Sequence, residues 1–519
     1  MEEDPGLLVD HPDVKLSFNP RVQLDPGFLR TKIYIAMKKL SFIALLLVGT
    51  ILSLVAQNET QALRYSQYSP FGTARYAAQG GAIGALGADL TSMVTNPAGL
   101  AFYRSGEFSV TPSFYWVNSS SDFMGSVAED SEFRFNLASM GIVNAMNTKQ
   151  KSGVVGAAFG FGYNTLANFN KTTYTRGISD NSSLLDDFTW HANADPDNLS
   201  PYYEQLAFDS YLMPYDETAE VYWHDMQMDG YGQQLARSSR ESGYIGEYSF
   251  AGALNLSNFL YLGATFGFHA VRYYEDIYHT ETDHDDHVLD FDSFRFREFN
   301  STKGWGLTGR FGMIVRPMQM LRIGASLHLP TYYWLTDEKY TDMQSYWDSG
   351  SGISDAFEGS PNGIYDYELQ SPLRVDVNAS LILFKQATIS LGYEFVDYGS
   401  AKLDAYDYNF YDENTNISQN LKSVSNFMAG AEFRFSTFYL RGGAQYYGSP
   451  YADSRNNAER WIYSAGFGVR SRMGNFDFSY SRSNKTDVYG MYSYEPGLNE
   501  VSLNEIDGNN IICTLGFKF

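Results

Sequence analysis

The chain has 519 residues, with Lys+Arg 37 against Asp+Glu 60, a formal net charge of −23 and a pI near 4.7. Phosphate repels so acidic a surface, which excludes nucleic-acid binding, and the single cysteine excludes a disulfide framework or a Cys-based zinc site. Tyr 40, Phe 37 and Gly 46, with charged residues at only 19%, make the composition of an outer-membrane β-barrel rather than of several soluble domains.

The first 36 residues carry Pro5, Pro12, Pro20 and Pro26 and show no period. Residues 37–57 then read MKKLSFIALLLVGTILSLVAQ: Lys38 and Lys39 form a positive start, an apolar run follows, and small Ala56 precedes polar Gln57. This is the pattern of a cleaved export peptide. The 17 residues of 40–56 only just reach the lower limit for a spanning helix, and no second apolar stretch follows. The expectation is that 1–36 is an over-extended, unstructured start, that Met37 initiates, and that 37–57 is a signal peptide directing export to the bacterial outer membrane.

Residues 66–105 do not alternate in polarity. Gly80, Gly81, Gly84 and Gly87 miss the spacing of a dinucleotide fingerprint and no strand precedes them. Glycines among small alanines suit a compact segment in a confined space.

From Glu107 onward the chain breaks into stretches of about ten residues with alternating polarity, the period of a membrane strand. In the last, Ile511, Cys513, Leu515, Phe517 and Phe519 point one way; elsewhere Leu373, Val375, Val377, Ala379, Leu381 and Leu383, and Phe427, Ala429, Ala431, Phe433 and Phe435, do the same. Fourteen such strands can be counted between 106 and 519, beginning at 106–118, 131–145 and 152–167 and ending at 475–486 and 506–519. Short connections at 146–151, 257–258, 316–319, 385–386, 436–437 and 471–474 alternate with long ones that include 168–242, 341–363, 404–416 and 487–505. Short periplasmic turns against long external loops predict an all-β, fourteen-stranded antiparallel transmembrane barrel, closed because lipid cannot satisfy an open sheet edge. The terminal Phe519 fits the final aromatic read by barrel-assembly machinery.

The sequence here resembles the FadL/TodX family, outer-membrane channels for long-chain fatty acids and aromatic hydrocarbons. The resemblance rests on residues 72–75, on Gly80-Gly81-Ala82, on Asp89, and on Asn96-Pro97-Ala98-Gly99-Leu100 directly before the first strand. Stretches 321–340 and 369–403 follow the family's strand, short turn, strand pattern. The resemblance implies that 58–105 is a hatch lodged in the barrel of 106–519, and that Asn96, Pro97, Ala98 and Gly99 belong to its gate. It also implies a kinked third strand that opens the wall sideways. Gly156, Gly160 and Gly162, which leave one face of that strand nearly bare, are the residues for the opening, or else they make room for hatch packing.

With apolar positions facing lipid, Arg134, Arg310, Arg322, Arg374, Arg434 and Arg441 face the lumen, as do Asp376, Glu394, Glu432 and Asp477. Arg310, Arg322, Arg374 or Arg441 offers a fork for a fatty-acid carboxylate. The competing reading is an ion-pair ladder, with Glu432 beside Arg434 and Arg374 beside Asp376 on single strands. The loop 168–242 is rich in acids and aromatics and reads as an apolar capture surface or a self-packed lid. The Asp283-His284-Asp285-Asp286-His287 run is read as solvated charge rather than a metal site. No Ser-His-Asp grouping or carboxylate pair announces catalysis, and no cofactor is expected. The predicted function is outer-membrane transport of hydrophobic small molecules, in contact with lipid and lipopolysaccharide. The alternatives are a haem receptor using His269 and His328, and an adhesin or structural barrel binding proteins through its loops.

Overall fold

The computed structural model describes residues 59–519, except 286, 349–350, 385 and 496–497. The expectations for 1–36 and for the export peptide therefore lie outside the described residues.

Fourteen antiparallel strands form the sheet. They are β1 (Glu107–Phe123), β2 (Ser126–Asn147), β3 (Val154–Asn168, resuming as Lys171–Ile178), β4 (Gln234–Leu256), β5 (Leu260–Thr282), β6 (Phe291–Met318) and β7 (Leu321–His328, resuming as Tyr332–Trp347). The second half comprises β8 (Gly363–Gln370 and Arg374–Leu383), β9 (Ala387–Asp397 and Lys402–Asp404), β10 (Ser423–Phe435), β11 (Phe438–Tyr447), β12 (Arg460–Arg470), β13 (Gly474–Glu495) and β14 (Leu498–Lys518). Each pairs with the next, and β14 returns to β1 from Lys518↔Glu107 to Leu503↔Asp122, so the barrel is closed. Closure pairs the backbone within the sheet, which a bilayer demands.

The alternation expected from the sequence is observed. On β14, Ile512 and Thr514 are buried inside while Leu515 and Phe517 face out. On β6, Trp305, Leu307, Phe311, Met313 and Val315 face outward, ten residue steps from first to last, which span about 25 Å on a tilted strand. At the edge of that belt Trp305 stacks on Trp334 with centroids 4.3 Å apart, and the Trp334 indole N–H donates to Glu368 at 3.0 Å. Aromatic bodies with wet polar tips are what mark a membrane interface.

The short turns fall where alternation predicts them. The other end differs: β1 and β2 run on to a tight turn at Met124 and Gly125, β13 runs on to Glu495 and β14 begins at Leu498, where loops were expected at 119–130 and 487–505. Outside the bilayer both faces of a strand meet water or the external cap, so the outer pairing continues through Ser119, Ser121, Asn504 and Asp507 without a lipid-facing apolar row. Likewise 168–242 is no continuous loop, since Lys171–Ile178 pairs with β4 from Lys171↔Glu241 to Ile178↔Gln234.

Residues 59–105 lie inside the wall. They form helices α1 (Glu59–Ser66) and α2 (Ala74–Ala78) and 3-10 turns at Leu90–Met93 and Pro97–Phe102. Tyr65 of α1 joins lumen residues Tyr273, Tyr333, Tyr367 and Tyr398 in one buried cluster. At the external end, residues 179–233 fold into a cap around α3 (Leu184–Ala194) and α4 (Glu204–Asp209). Leu185, Phe188, Leu206 and Met213 of the cap bury against Phe291, Phe296, Met343 and Trp347 of the strands.

Candidate functional site

The plug segment is tied by the residues its motif singles out. Thr73 accepts from the Tyr76 N–H at the start of α2 and donates its hydroxyl to both Asp89 carboxylate oxygens, at 2.9 and 2.8 Å. Asp89 also accepts from the Thr91 N–H at 2.9 Å, and the Arg75 guanidinium donates to the carbonyls of Gly87 and Ala88. Every one of these side chains is buried, so their bonds form without competition from water.

Asn96 sits where the plug meets the wall and is 1% exposed. Its side-chain oxygen accepts from the Ala98 N–H at 3.2 Å, capping the turn that Pro97 opens. Its amide nitrogen donates to the Met313 carbonyl on β6 and the Ala325 carbonyl on β7, both at 3.3 Å. The Gly99 N–H donates to the Asn96 carbonyl, and the Gly99 carbonyl accepts from Ala88, so the motif closes on itself. The wall is shaped to receive it. Gly263 of β5 and Gly312 of β6 are cross-strand partners, and a side chain on either would collide with Pro97 or Asn96; Gly324 of β7 approaches Asn96 next. A second bare area, Gly430 and Gly443 on β10 and β11, receives Gln79 and Gly80. Sequence reasoning missed these wall glycines, although Gly263 and Gly312 stand at lumen-facing positions where alternation exposes them.

None of the four candidate arginines presents a free fork. Arg310 makes two bonds of 2.6 Å to Glu247 and a third to His328 Nδ1. Arg441 pairs with Glu432 at 2.7 Å and Asp477 at 2.6 Å. Arg374 reaches Glu394 and the Ser66 carbonyl and lies 4.1 Å over the Tyr68 ring. Arg322 donates to the Leu86 carbonyl and covers Phe102. The ladder reading is closer, with a correction: the ion pairs run between strands, to the neighbouring strand for Arg374–Glu394 and Arg441–Glu432 and one strand further for Arg441–Asp477, while Arg434 donates to the Ser436 carbonyl in its own turn. Arg134 alone pairs along its strand, with Glu132. His269 spends one ring nitrogen on Glu247 and the other on Tyr333; His328 spends its two on Arg310 and the Thr95 carbonyl. Neither offers a free nitrogen to an iron.

Between plug and wall remains a cavity of about 40 Å³, lined by Tyr68, Tyr76, His328, Arg374, Met428 and Tyr447 among others. That holds a water or two and no larger ligand.

Gly156, Gly160 and Gly162 lie in a continuous ladder with β2, from Asn147↔Gly156 to Ser139↔Asn164, while on the β4 side the register shifts between Val154 and Gly156 and then runs regularly past Gly160 and Gly162. Gly160 and Gly162 leave room for Met93 of the plug. The wall departs from regularity just beyond them. Above Ser139, β2 has no strand partner on its β3 side among the described residues, and the β3–β4 register shifts between Thr165 and Ala167. Plug backbone takes up part of the gap: the Ser69 N–H donates to the Leu166 carbonyl at 3.0 Å and Phe71 to Thr165 at 3.1 Å. Thr165 in turn donates to the Leu137 carbonyl at 2.7 Å.

The cap is held by two buried carboxylates. Asp186 accepts from the Ser183 N–H and from His224, Gln227 and Tyr231. Burial pushes its carboxyl up, but the His224 and Tyr231 bonds and the Ser183 N–H outweigh that and hold it below the usual aspartate value. Glu281 at the outer end of β5 accepts from Ser183, the Leu184 N–H, Gln233 and His279, fastening α3 to the barrel. In the 283–287 run, Asp283 accepts from the His287 and Val288 N–H groups, which closes a turn. Among the described residues no group of three or more His, Cys, Asp or Glu is placed to hold a metal ion.

These features define an outer-membrane barrel of fourteen strands with its lumen filled by an N-terminal plug. Among solved structures, the crystal structure of a Pseudomonas aeruginosa FadL homologue matches with a TM-score of 0.54, at 11% identity, over 86% of this chain and 98% of that one. The Pseudomonas putida toluene transporter TodX matches at 11% identity over 87% and 99% with a TM-score of 0.49. The Ralstonia pickettii toluene transporter TbuX matches at 15% over 88% and 99% with a TM-score of 0.47. No family model matches the sequence, and no curated protein matches it. The chain has the FadL fold, established by the first of these structures and by the barrel itself.

Proposed function

We propose that this protein carries hydrophobic small molecules, long-chain fatty acids or compounds like them, across the outer membrane, with residues 58–105 as a movable hatch and 37–57 as the export peptide. The observation that carries the reading is the seating of Asn96. At Asn96 the plug meets the wall through two hydrogen bonds of 3.3 Å and a glycine slot, beside the bonds that Ser66, Ser69, Phe71, Leu86 and Thr95 make with it. Such bonds contribute about 0.5–1.5 kcal/mol each, so those at Asn96 can break in a two-state motion. An apolar permeant needs little more than contact area, since each buried methylene is worth about 0.8 kcal/mol.

The irregular wall between β2 and β3 supplies a sideways route in this reading. Residues 69–71 cover it in the closed state, so hatch movement and wall opening are one event. The opening then belongs to 165–170 rather than to Gly156, Gly160 and Gly162, of which the last two seat Met93. Phe519, exposed with its N–H on the Gly106 carbonyl, is the residue offered to barrel-assembly machinery. Lipid and lipopolysaccharide surround the belt. Uptake of labelled oleate and of haem by cells with and without the gene tests the proposal. Gene-dependent oleate uptake is expected; uptake of haem alone would overturn it.

A further inference from the structure

The two ends of the barrel carry opposite charge, and the transport reading uses neither. The cap at 179–233 contains twelve carboxylates and not one Lys or Arg. The periplasmic turns reverse this. With the end of β6 they read TKQKSG (148–153), SNF (257–259), RPMQM (316–320), FKQ (384–386), ST (436–437) and SRM (471–473), five cations and no Asp or Glu in a chain of net charge −23. Backbone bonds join these segments into one rim. The Ser257 N–H donates to the Gly153 carbonyl, Arg316 to Phe259, Ile382 to Met320, Arg434 to Gln386, Arg470 to Thr437 and Lys518 to Met473, so each turn is fastened to the next around the barrel.

Lys149, Lys151 and Arg472 are exposed and Arg316 is half-buried, and none of the four makes an ion pair among the described residues. Cations of the outer half, by contrast, find carboxylates within the chain: Lys171 pairs with Glu241, Arg237 with Glu298, Arg297 with Asp276 and Arg482 with Asp507. Between the rim cations stand bare apolar side chains, Phe259, Met318, Met320, Phe384 and Met473, of which Phe384 is 92% and Met473 81% exposed. Such side chains gain by entering an acyl boundary, and Lys and Arg lay their stems along the same boundary with their heads at the level of the phosphates. Each cation strengthens contact with an anionic lipid surface by about fivefold. A protein partner docks on one side of a barrel, whereas these tips and charges run around the rim, as an annulus of lipid does.

We propose that the periplasmic rim binds anionic phospholipid of the inner leaflet, with Lys149, Lys151, Arg316 and Arg472 on the phosphodiester heads and Phe384 and Met473 in the acyl boundary. The proposal stands whether or not the barrel transports apolar compounds. The test offers the full barrel, in detergent, equal amounts of phosphatidylglycerol and phosphatidylcholine, and native mass spectrometry reads which lipid it retains. Wild type retains phosphatidylglycerol in preference, less so as salt rises. Lys149→Gln/Lys151→Gln/Arg316→Gln/Arg472→Gln lowers that preference by at least about tenfold. Arg455→Gln, which removes an exposed external arginine paired with Asp453, leaves it unchanged. Phe384→Ser/Met473→Ser keeps every charge and weakens retention of both lipids. Equal retention of the two lipids by wild type overturns the proposal, as does wild-type preference in the quadruple variant. An acidic protein as the occupant overturns it too: lipid retention is then unchanged in Phe384→Ser/Met473→Ser, and octa-glutamate binds wild type but not the quadruple variant in phosphatidylcholine nanodiscs. If heat-modifiable mobility shows that the quadruple variant has not folded, Lys149→Gln/Lys151→Gln and Arg472→Gln decide. Each lowers the preference severalfold on this account, and wild-type preference in both refutes it.

Discussion

Substituting Gly312 with Ala is the most selective way to disturb the hatch from the wall side. The added methyl points into the lumen, where it collides with the Asn96 side-chain oxygen and approaches Pro97. Relieving the clash moves the Asn96 amide off the Met313 and Ala325 carbonyls. Two hydrogen bonds at about 0.5–1.5 kcal/mol each, in a buried site, put the loss at about 1–3 kcal/mol. That shifts a two-state hatch by roughly one to two decades toward the open form. The barrel loses nothing comparable, because alanine suits a strand at least as well as glycine and the ladder through Gly263↔Gly312 uses backbone alone. Gly442→Ala is the control, since its new methyl meets only the Ser464 carbonyl oxygen at 3.8 Å. Single-channel recording in planar bilayers reads the result. Gly312→Ala gives frequent openings and sensitises cells to large antibiotics, while Gly442→Ala matches wild type. Equal conductance in the two variants, both folded, would refute the slot as the hatch seat.

Three further outcomes follow from the same geometry. Deleting residues 60–100 leaves a folded, heat-modifiable barrel with raised conductance; unchanged conductance would mean that the cap closes the lumen. Glu247→Gln strips the paired charge from buried Arg310 and lowers stability to urea in detergent by about 3–5 kcal/mol, and an unchanged midpoint would contradict the pairing. Asp186, whose carboxyl is held below its ordinary value, contributes stability that is present above the unfolded value near 3.9 and lost as pH falls through the lower folded one. Hydrogen exchange in 184–194 therefore rises as pH drops below about 3.9, after correction for intrinsic rates, and Asp186→Asn removes that step.

The barrel was legible because bilayer thickness imposes a period: ten alternating residues, a turn, ten more. Where the bilayer ends, so does the signal, and the outer halves of β1, β2, β13 and β14 carry serines and asparagines that read as loop. The plug motif was legible for another reason. Thr73, Asp89 and Asn96 bond to backbone close by in sequence, so their spacing carries their geometry. The ion pairs of Arg310 and Arg441 were not legible because their partners, Glu247, Glu432 and Asp477, lie on other strands. Register decides that pairing, and one sequence does not display it. Gly160 and Gly162 were visible as a bare face, yet what fills it, Met93, lies some seventy residues away. The cap's fold depends on Glu281, a wall residue beyond its own segment.

The central claim is that transport of an apolar molecule depends on how Asn96 seats the hatch. Labelled-oleate uptake by cells carrying Asn96→Ala, at wild-type surface amounts, measures it most directly. Asn96→Ala removes the Ala98 cap of the turn as well as the wall bonds to Met313 and Ala325, so the hinge before Pro97 is disordered rather than merely unseated, and the account predicts impaired uptake in a barrel of normal heat-modifiable mobility. Uptake equal to wild type, with the only measurable activity lost instead on shortening 168–242, would contradict it and leave a surface-binding barrel.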